Sequence, residues 1–298
     1  MDKRKTFLKK AKEKVREAFK SRDMIIGSVS RSIEELDEVI HLMGERLEDW
    51  YSIYFPEIKP DTHVKYANLI LAVDKKNIDK DLLLKILGPK GSEEVLRKIE
   101  KSLGADLGAE DLGEIKECAR MILELDNLRN RYEKYQDKLA QEICPNIAHI
   151  AGSDIAGKMI AHVGSLKRLA FLPASTIQVI GAEKALFKHL KNRRVPPPKH
   201  GIIFQFAKIS GAPKVIRGKI SRVLANAICT AAKADYITKN YIAEQLKQKM
   251  DQRISEINQY WEKNKDKIKE DKVNFKKEEN DNFSRNRHGA PNFGKKRR

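Results

Sequence analysis

The chain has 298 residues, with 60 Lys and Arg against 42 Asp and Glu, a net charge of +18 and a pI near 9.6. Charged residues make up 34% and aromatics 7%, a Lys-, Glu-, Leu- and Ile-rich composition that leans to long helices and makes a polyanion the leading partner class. No apolar run approaches the ~18–20 residues of a membrane span, the basic N-terminus lacks the apolar core of a secretory signal, and Cys118, Cys144 and Cys229 are too far apart for a zinc or disulfide framework.

Residues 1 to about 57 read as one long helix. From Ile26 the apolar positions step through Val29, Ile33, Leu36, Ile40, Met43, Leu47, Trp50 and Tyr54 in spacings of three and four. That is a heptad seam, and Val15 and Phe19 continue it upstream. Pro56 and Pro60 end it. Residues 61 to 109 form shorter amphipathic pieces punctuated by Gly88-Pro89 and Gly104, with Asp79 and Ser92 as candidate N-caps. They predict a small helical cap at the far end of the coiled coil. A second seam follows in Cys118, Met121, Leu125, Leu128, Tyr132, Tyr135 and Leu139, with Ile115 and Ile122 widening the face, and Pro145 closes it. Two seams joined by a cap suggest an antiparallel hairpin, whose seams pair either within one chain or between two.

From residue 146 small residues crowd in: Ala148, Ala151, Gly152, Ala156, Gly157, Ala161 and Gly164. Close helix packing needs such residues, so a compact helical domain starts here. It ends near residue 262, where the apolar pattern stops. The remainder carries too little apolar surface to offset chain entropy and is expected to be a disordered basic tail. The predicted architecture is therefore all-α: a coiled-coil domain over residues 1–145, a compact domain over 146–262 and a tail over 263–298.

Gly152 to Met159 (GSDIAGKM) resembles a phosphate-cradling loop, but Met159 replaces the hydroxyl that would hold magnesium and no apolar strand precedes it. Tight packing explains these glycines better. No histidine shares a metal-ligand spacing with cysteines or acids, and no nucleophile arrangement stands out. The chain is expected to be neither an enzyme nor a cofactor binder.

The charge is concentrated between Gly181 and Arg222, where eleven Lys and Arg face one acid, Glu183. A field of one sign repels itself, and a polyanion relieves that repulsion. The alternatives are a solvated basic face, or a structural coiled-coil dimer whose basic surface docks an acidic protein. Within the window Lys184 and Lys188 lie one helical turn apart, followed by Lys191, Arg193 and Arg194 and a Pro-stiffened loop leading to Lys199. His189 and His200 sit where they could stack on a base or meet a phosphate. The start of this helix, at Gly181-Ala182, would aim free N–H groups at whatever lies ahead.

The stretches NIAHIAGSDIAGKMI, GAEKALFKHLK, PPPKHGIIFQ and WYSIYFPEI resemble Nop-domain proteins, in particular the archaeal scaffold subunit of box C/D small ribonucleoprotein particles and, more distantly, the eukaryotic nucleolar Nop proteins and a Nop-domain splicing factor. The resemblance covers about residues 15 to 262. It implies a scaffold for a guide ribonucleoprotein. Such a scaffold binds kink-turn RNA together with a ribosomal-type kink-turn protein, and supports 2′-O-methylation of ribose by fibrillarin. Position by position, the family's RNA-contacting helix corresponds to Ala185, Leu186, Phe187 and Lys188, with Lys188 where Arg is common; that keeps the charge and loses the bidentate fork. The resemblance also places Lys199 and His200 against RNA and its bound protein, with Gln205 and Arg217 as weaker contacts. It implies a homodimer through the coiled coil, no membrane, and a location in the archaeal cytoplasm or a eukaryotic nucleolus. Family members carry an N-terminal α/β domain that grips fibrillarin, and this chain begins almost at the coiled coil. Fibrillarin docking through that domain is not expected of this stretch by itself.

Overall fold

A computed structural model describes residues 3–20, 22–59, 61–75 and 77–288. The long first helix divides in two, α1 (Lys3–Lys20) and α2 (Asp23–Tyr54). The division lies where side chains turn sideways: Arg22 pairs with Glu142, and Asp23 accepts from the Leu166 N–H at 2.9 Å. These bonds fix the start of α2 to the rest of the protein. Among the upstream seam residues Val15 is exposed; the Phe19 side chain and Pro60 lie outside what is described.

Helix α2 leads through Phe55 to the cap: α3 (His63–Ala72), strands β1 (Val73–Asp74) and β2 (Asn77–Ile78) in one antiparallel pair, and α4 (Lys80–Glu100). Gly88, at φ 70° and ψ 178°, bends α4 sharply ahead of Pro89, a backbone that favours glycine. Asp79 caps α4 by accepting from the Leu82 N–H at 3.0 Å. Ser92 is no N-cap: it lies buried inside the helix and its hydroxyl donates back to the Gly88 carbonyl at 2.7 Å. In the cap core Tyr51 donates to the Val73 carbonyl at 2.8 Å, and burial raises its phenol pKa well above the ordinary value.

Helix α5 (Ala109–Ile143) returns antiparallel to α2, so the seams pair within one chain. The pairings Arg22–Glu142 and Asp37–Arg129 set the register. On α2 the buried column is Ile26, Ile33, Ile40, Leu47 and Tyr54, as the heptad requires, while Trp50 is exposed. On α5 the expected seam is buried in part: Leu139, Ile115 and Ile122 are buried and Cys118, Leu125, Leu128 and Tyr132 half-buried, whereas Met121 and Tyr135 are exposed and Leu112, Ala119 and Gln136 are buried in addition.

The compact part holds α6 (Pro145–Ala151), α7 (Ser153–Val163), α8 (Leu166–Ala170), α9 (Ala174–Val179), α10 (Glu183–Lys191), α11 (Ala207–Ser210), α12 (Arg217–Lys233) and α13 (Ala243–His288). It does not stand apart from the hairpin. Ile26 of α2 and Leu139 and Ala140 of α5 belong to the same apolar core as Met159, Leu169, Leu224 and Ile228. Closeness is made possible by glycine: a Cβ on Gly27 would lie 3.2 Å from the Ala161 backbone, and one on Gly157 would lie 2.0 Å from the Gln136 amide. The phosphate-loop-like sequence is thus the start of a helix wedged between two others. Lys158 is tied to Asp154 at 3.0 Å and donates to the Gln205 side-chain Oε1 at 3.0 Å. Helix α13 kinks at Asn264, where the tail was expected to begin; its backbone is helical as far as His288, and residues 289–298 lie outside those described.

One buried carboxylate ties the first and last parts of the compact region. Asp235 accepts from the N–H groups of Asn146 (3.0 Å) and Ile147 (3.1 Å) and from the Asn146 side chain (2.7 Å), so it serves as the cap that α6 lacks locally. Burial raises its pKa, and these donors pull against that shift. A carboxyl with a raised folded-state pKa contributes stability that is fully present below its unfolded value, about 4, and is lost as pH rises through the folded one. Asp235→Ala leaves these donors unpaired and is expected to cost about 2–4 kcal/mol at neutral pH in urea unfolding. It should also remove a decline in stability on raising the pH above the ordinary aspartate range. An unchanged unfolding midpoint would show that the cap carries no load.

Candidate nucleic-acid interface

Helix α10 buries no residue, which is unusual for a helix in a packed domain. Lys184, Ala185, Phe187, Lys188 and Lys191 are exposed, Leu186 and His189 are half-buried, and Phe187 is 66% open to solvent. The apolar Ala185 and Leu190 are exposed as well. Such a helix gains nothing from core burial, so its position rests on its ends.

The first end is held by Glu183. Its carboxylate accepts from the Gly181 N–H at 2.9 Å and pairs with His162 of α7 at 2.8 Å. Burial alone would raise the Glu183 pKa, but the Gly181 and Glu183 N–H groups and His162 hold it lowered. Gly181 sits at φ 84°, where a Cβ would also strike Ile202 at 2.7 Å. The chain's own acid thus takes up the N–H groups of Gly181 and Glu183 at the helix start, which the sequence suggested would face a ligand.

The second end is held by the loop. His189 Nδ1 contacts the Val195 carbonyl, and the Gln178 side chain donates to the Lys199 carbonyl at 2.7 Å. Gly201 donates to Gln178 O at 3.0 Å, and a Cβ there would lie 1.8 Å from the Ile180 carbonyl oxygen. The loop Asn192 to His200 is thereby laid over the end of α9. Arg193 and Arg194 are exposed in its turn. Lys199 runs along Gly218, 3.6 Å from where a Cβ would be, which brings the loop to the start of α12.

There the sequence candidates separate. His200 stacks on Phe204, with ring centroids 4.5 Å apart, and Arg217 lies 5.3 Å over the same Phe204 ring. Arg217 also donates to the carbonyls of Ala212 (2.7 Å) and Ser210 (2.9 Å), closing the end of α11. His200 and Arg217 are thus internal supports of the loop. Gln205 is turned away toward Lys158. Among the described residues no ion pair engages Lys184, Lys188, Lys191, Arg193, Arg194 or Lys199, whereas Lys208 is answered by Asp251 at 2.7 Å. Six cations without ion pairs and one exposed phenyl ring thus lie on α10 and the loop that follows it. Sequence reasoning missed His162 and Gln178, which carry no spacing signal; Gly181 and Gly201, flanking the basic helix and loop, were the legible hint.

The Nop family model, described as a snoRNA binding domain, fibrillarin, matches residues 32–256. The chain belongs to the Nop family. It is 42% identical over 255 residues to an uncharacterized NOP5 family protein of Methanocaldococcus jannaschii, covering 85% of this chain and 61% of that one. It is 31% identical over 260 residues to human nucleolar protein 56, covering 83% and 43% of the two chains. A crystal structure of a fibrillarin/Nop5p complex aligns with a TM-score of 0.48 and 29% identity, over 85% of this chain and 77% of that one. The chain spans about two fifths to three fifths of the length of these curated relatives.

Burial first, then the charges of Arg217 and Lys199, lower the His200 pKa. A base with a lowered folded-state pKa adds stability above its unfolded value, about 6.5, and loses it as pH falls through the folded one. In an NMR titration the His200 ring should change charge below that pH, and Arg217→Ala should move the midpoint up part of the way. A midpoint at or above the free-imidazole value would remove the stack from the account.

Proposed function

We propose that this protein is a scaffold of a box C/D-type guide ribonucleoprotein. It meets kink-turn RNA, already held by a small kink-turn protein, through α10 and the loop that follows. The observation that carries the reading is a helix with no buried side chain whose lysines lack internal partners, in a chain of the Nop family. Lys184, Lys188 and Lys191 approach phosphates, with Arg193, Arg194 and Lys199 extending the contact along the loop. Phe187, with Ala185 and Leu186 beside it, supplies an apolar surface that naked RNA backbone does not need and a protein–RNA seam does. His189, His200 and Arg217 shape the loop, while Gln205 is held by Lys158. The chain performs no chemistry on this reading; fibrillarin would methylate the ribose 2′-OH, gripped by a domain other than those seen here.

Two copies join through the outer face of the hairpin, where Met24, Ile25, Leu42, Trp50, Met121 and Tyr135 are exposed although they lie on or beside the heptad seams. A sedimentation mass of a single chain would remove the dimer from the reading.

The test is binding to naked kink-turn RNA and to the same RNA preloaded with its protein. Binding should be tighter to the preloaded complex and should weaken linearly in log salt, and Lys184→Glu with Lys188→Glu should abolish it without altering the melting temperature. Phe187→Ala should leave stability within about 0.5 kcal/mol of the wild type and lose the preference for the preloaded RNA. Affinity that is flat against salt, or untouched by the double reversal, would contradict the assignment.

A further inference from the structure

Helices α12 and α13 run antiparallel, with Lys219 Nζ lying 5.2 Å from the Tyr260 ring centroid at one end and Thr230 and Leu246 lining the other. Along one side they leave a groove of 810 Å³. Val223, Ala227, Met250 and Ile257 line it with apolar surface, and Lys219, Arg222, Lys249 and Arg253 surround it with charge. Arg253 is answered by Glu256, whereas Arg222 and Lys249 have no ion pair among the described residues. Lys219 to Thr230 spans about 16 Å of α12, the length of three helical turns. The centre of this stripe lies about 110° around α12 from Gly218, against which Lys199 packs, with Arg222, one turn on from Gly218, as its nearest member; the floor of the groove thus faces away from the loop that follows α10.

We propose that the groove is the docking site for an acidic amphipathic helix of about three turns, contributed by a partner protein. The aliphatic floor takes leucine-type anchors spaced three and four residues apart, and the rim takes Glu and Asp from the flanks. A single RNA strand fits less well, since it needs open aromatic faces for its bases. Tyr260 is the one aromatic lining residue, and Lys219 sits over its ring. The chain's own ends do not suit the rim either. Residues 3–20 carry nine Lys and Arg against two Glu, and residues 263–298 carry thirteen Lys and Arg against six acids. Charge complementarity therefore points outside the chain. This inference stands independently of the RNA reading, because it uses a different surface and a different class of ligand.

The experiment uses the full chain and three fluorescein-labelled probes. One is a peptide of about twelve residues with Leu at helical spacing and Glu elsewhere; the second has the same composition scrambled; the third is an oligouridylate of equal length. Anisotropy gives affinity, and methyl NMR of Met250 and Ile257 gives location. The patterned peptide should shift both methyl groups and bind at least about tenfold more tightly than the scramble. Arg222→Glu with Lys249→Glu should weaken it about tenfold with the melting temperature unchanged. Asn226→Trp, which fills the groove from an exposed position, should block it as well. Equal binding of patterned and scrambled peptides, methyl shifts outside the groove, or tighter occupation of the groove by oligouridylate would each overturn the proposal.

Discussion

A cationic helix that buries nothing keeps its place only if something else holds it, and here that task falls to the single acid of the basic window. Glu183 joins the turn at Gly181 to His162 of α7, so the first turn of α10 is tied to a helix that packs against both α2 and α5. The acid lowers the local repulsion, stands at the favoured end of the helix dipole and still leaves the lysines a turn further on without partners. At the far end the loop is laid across α9 through Gln178 and Gly201. The cationic face is therefore held at its edges and open over its middle, the arrangement expected of a surface that meets a rigid, highly charged partner.

That support works because α7 is itself immobilised. Gly27, Gly157 and Ala161 let α2, α5 and α7 approach closely, with the Ser30 and Gln136 side chains lying against Gly157, and Gln136 satisfies its buried amide on the Ser153 carbonyl at 3.2 Å. The hairpin and the compact region share one core at this point, so the long helices are fixed to the part that carries α10 rather than joined to it by a linker. The cap is a second core at the opposite end, built around Tyr51, Tyr54 and Tyr66. Whatever binds the hairpin's outer face and whatever binds α10 are thereby kept at a fixed separation.

The all-helical architecture, the hairpin, the cap and the position of the basic face were legible because periodicity and charge are local signals. The α2 seam was read correctly on Ile26, Ile33, Ile40, Leu47 and Tyr54, where one residue per heptad is apolar and buried. The α5 seam was read correctly at Leu139 and at the flanking Ile115 and Ile122, and missed at Met121 and Tyr135, which are exposed. Its inward positions also include Ala119 and Gln136, which count weakly or not at all as apolar. Pattern counting favours large apolar side chains, whereas helix packing also admits small and hydrogen-bonded ones. The break between α1 and α2 depends on Arg22 and Asp23 reaching residues more than a hundred positions away, which no window sees. The same limit hid His162, and it made Arg217 look like a ligand contact when its donors close a neighbouring turn.

The central claim is that the uncompensated cations of α10 and its loop are the surface covered by RNA and its bound protein. Lysine acetylation footprinting, with and without kink-turn RNA preloaded with its protein, reads this surface residue by residue. The account predicts strong protection of Lys184, Lys188, Lys191 and Lys199 in the complex, with Lys208, already paired to Asp251, little changed. Equal acetylation of those four lysines in the free and bound states, with protection elsewhere on the chain, would contradict it.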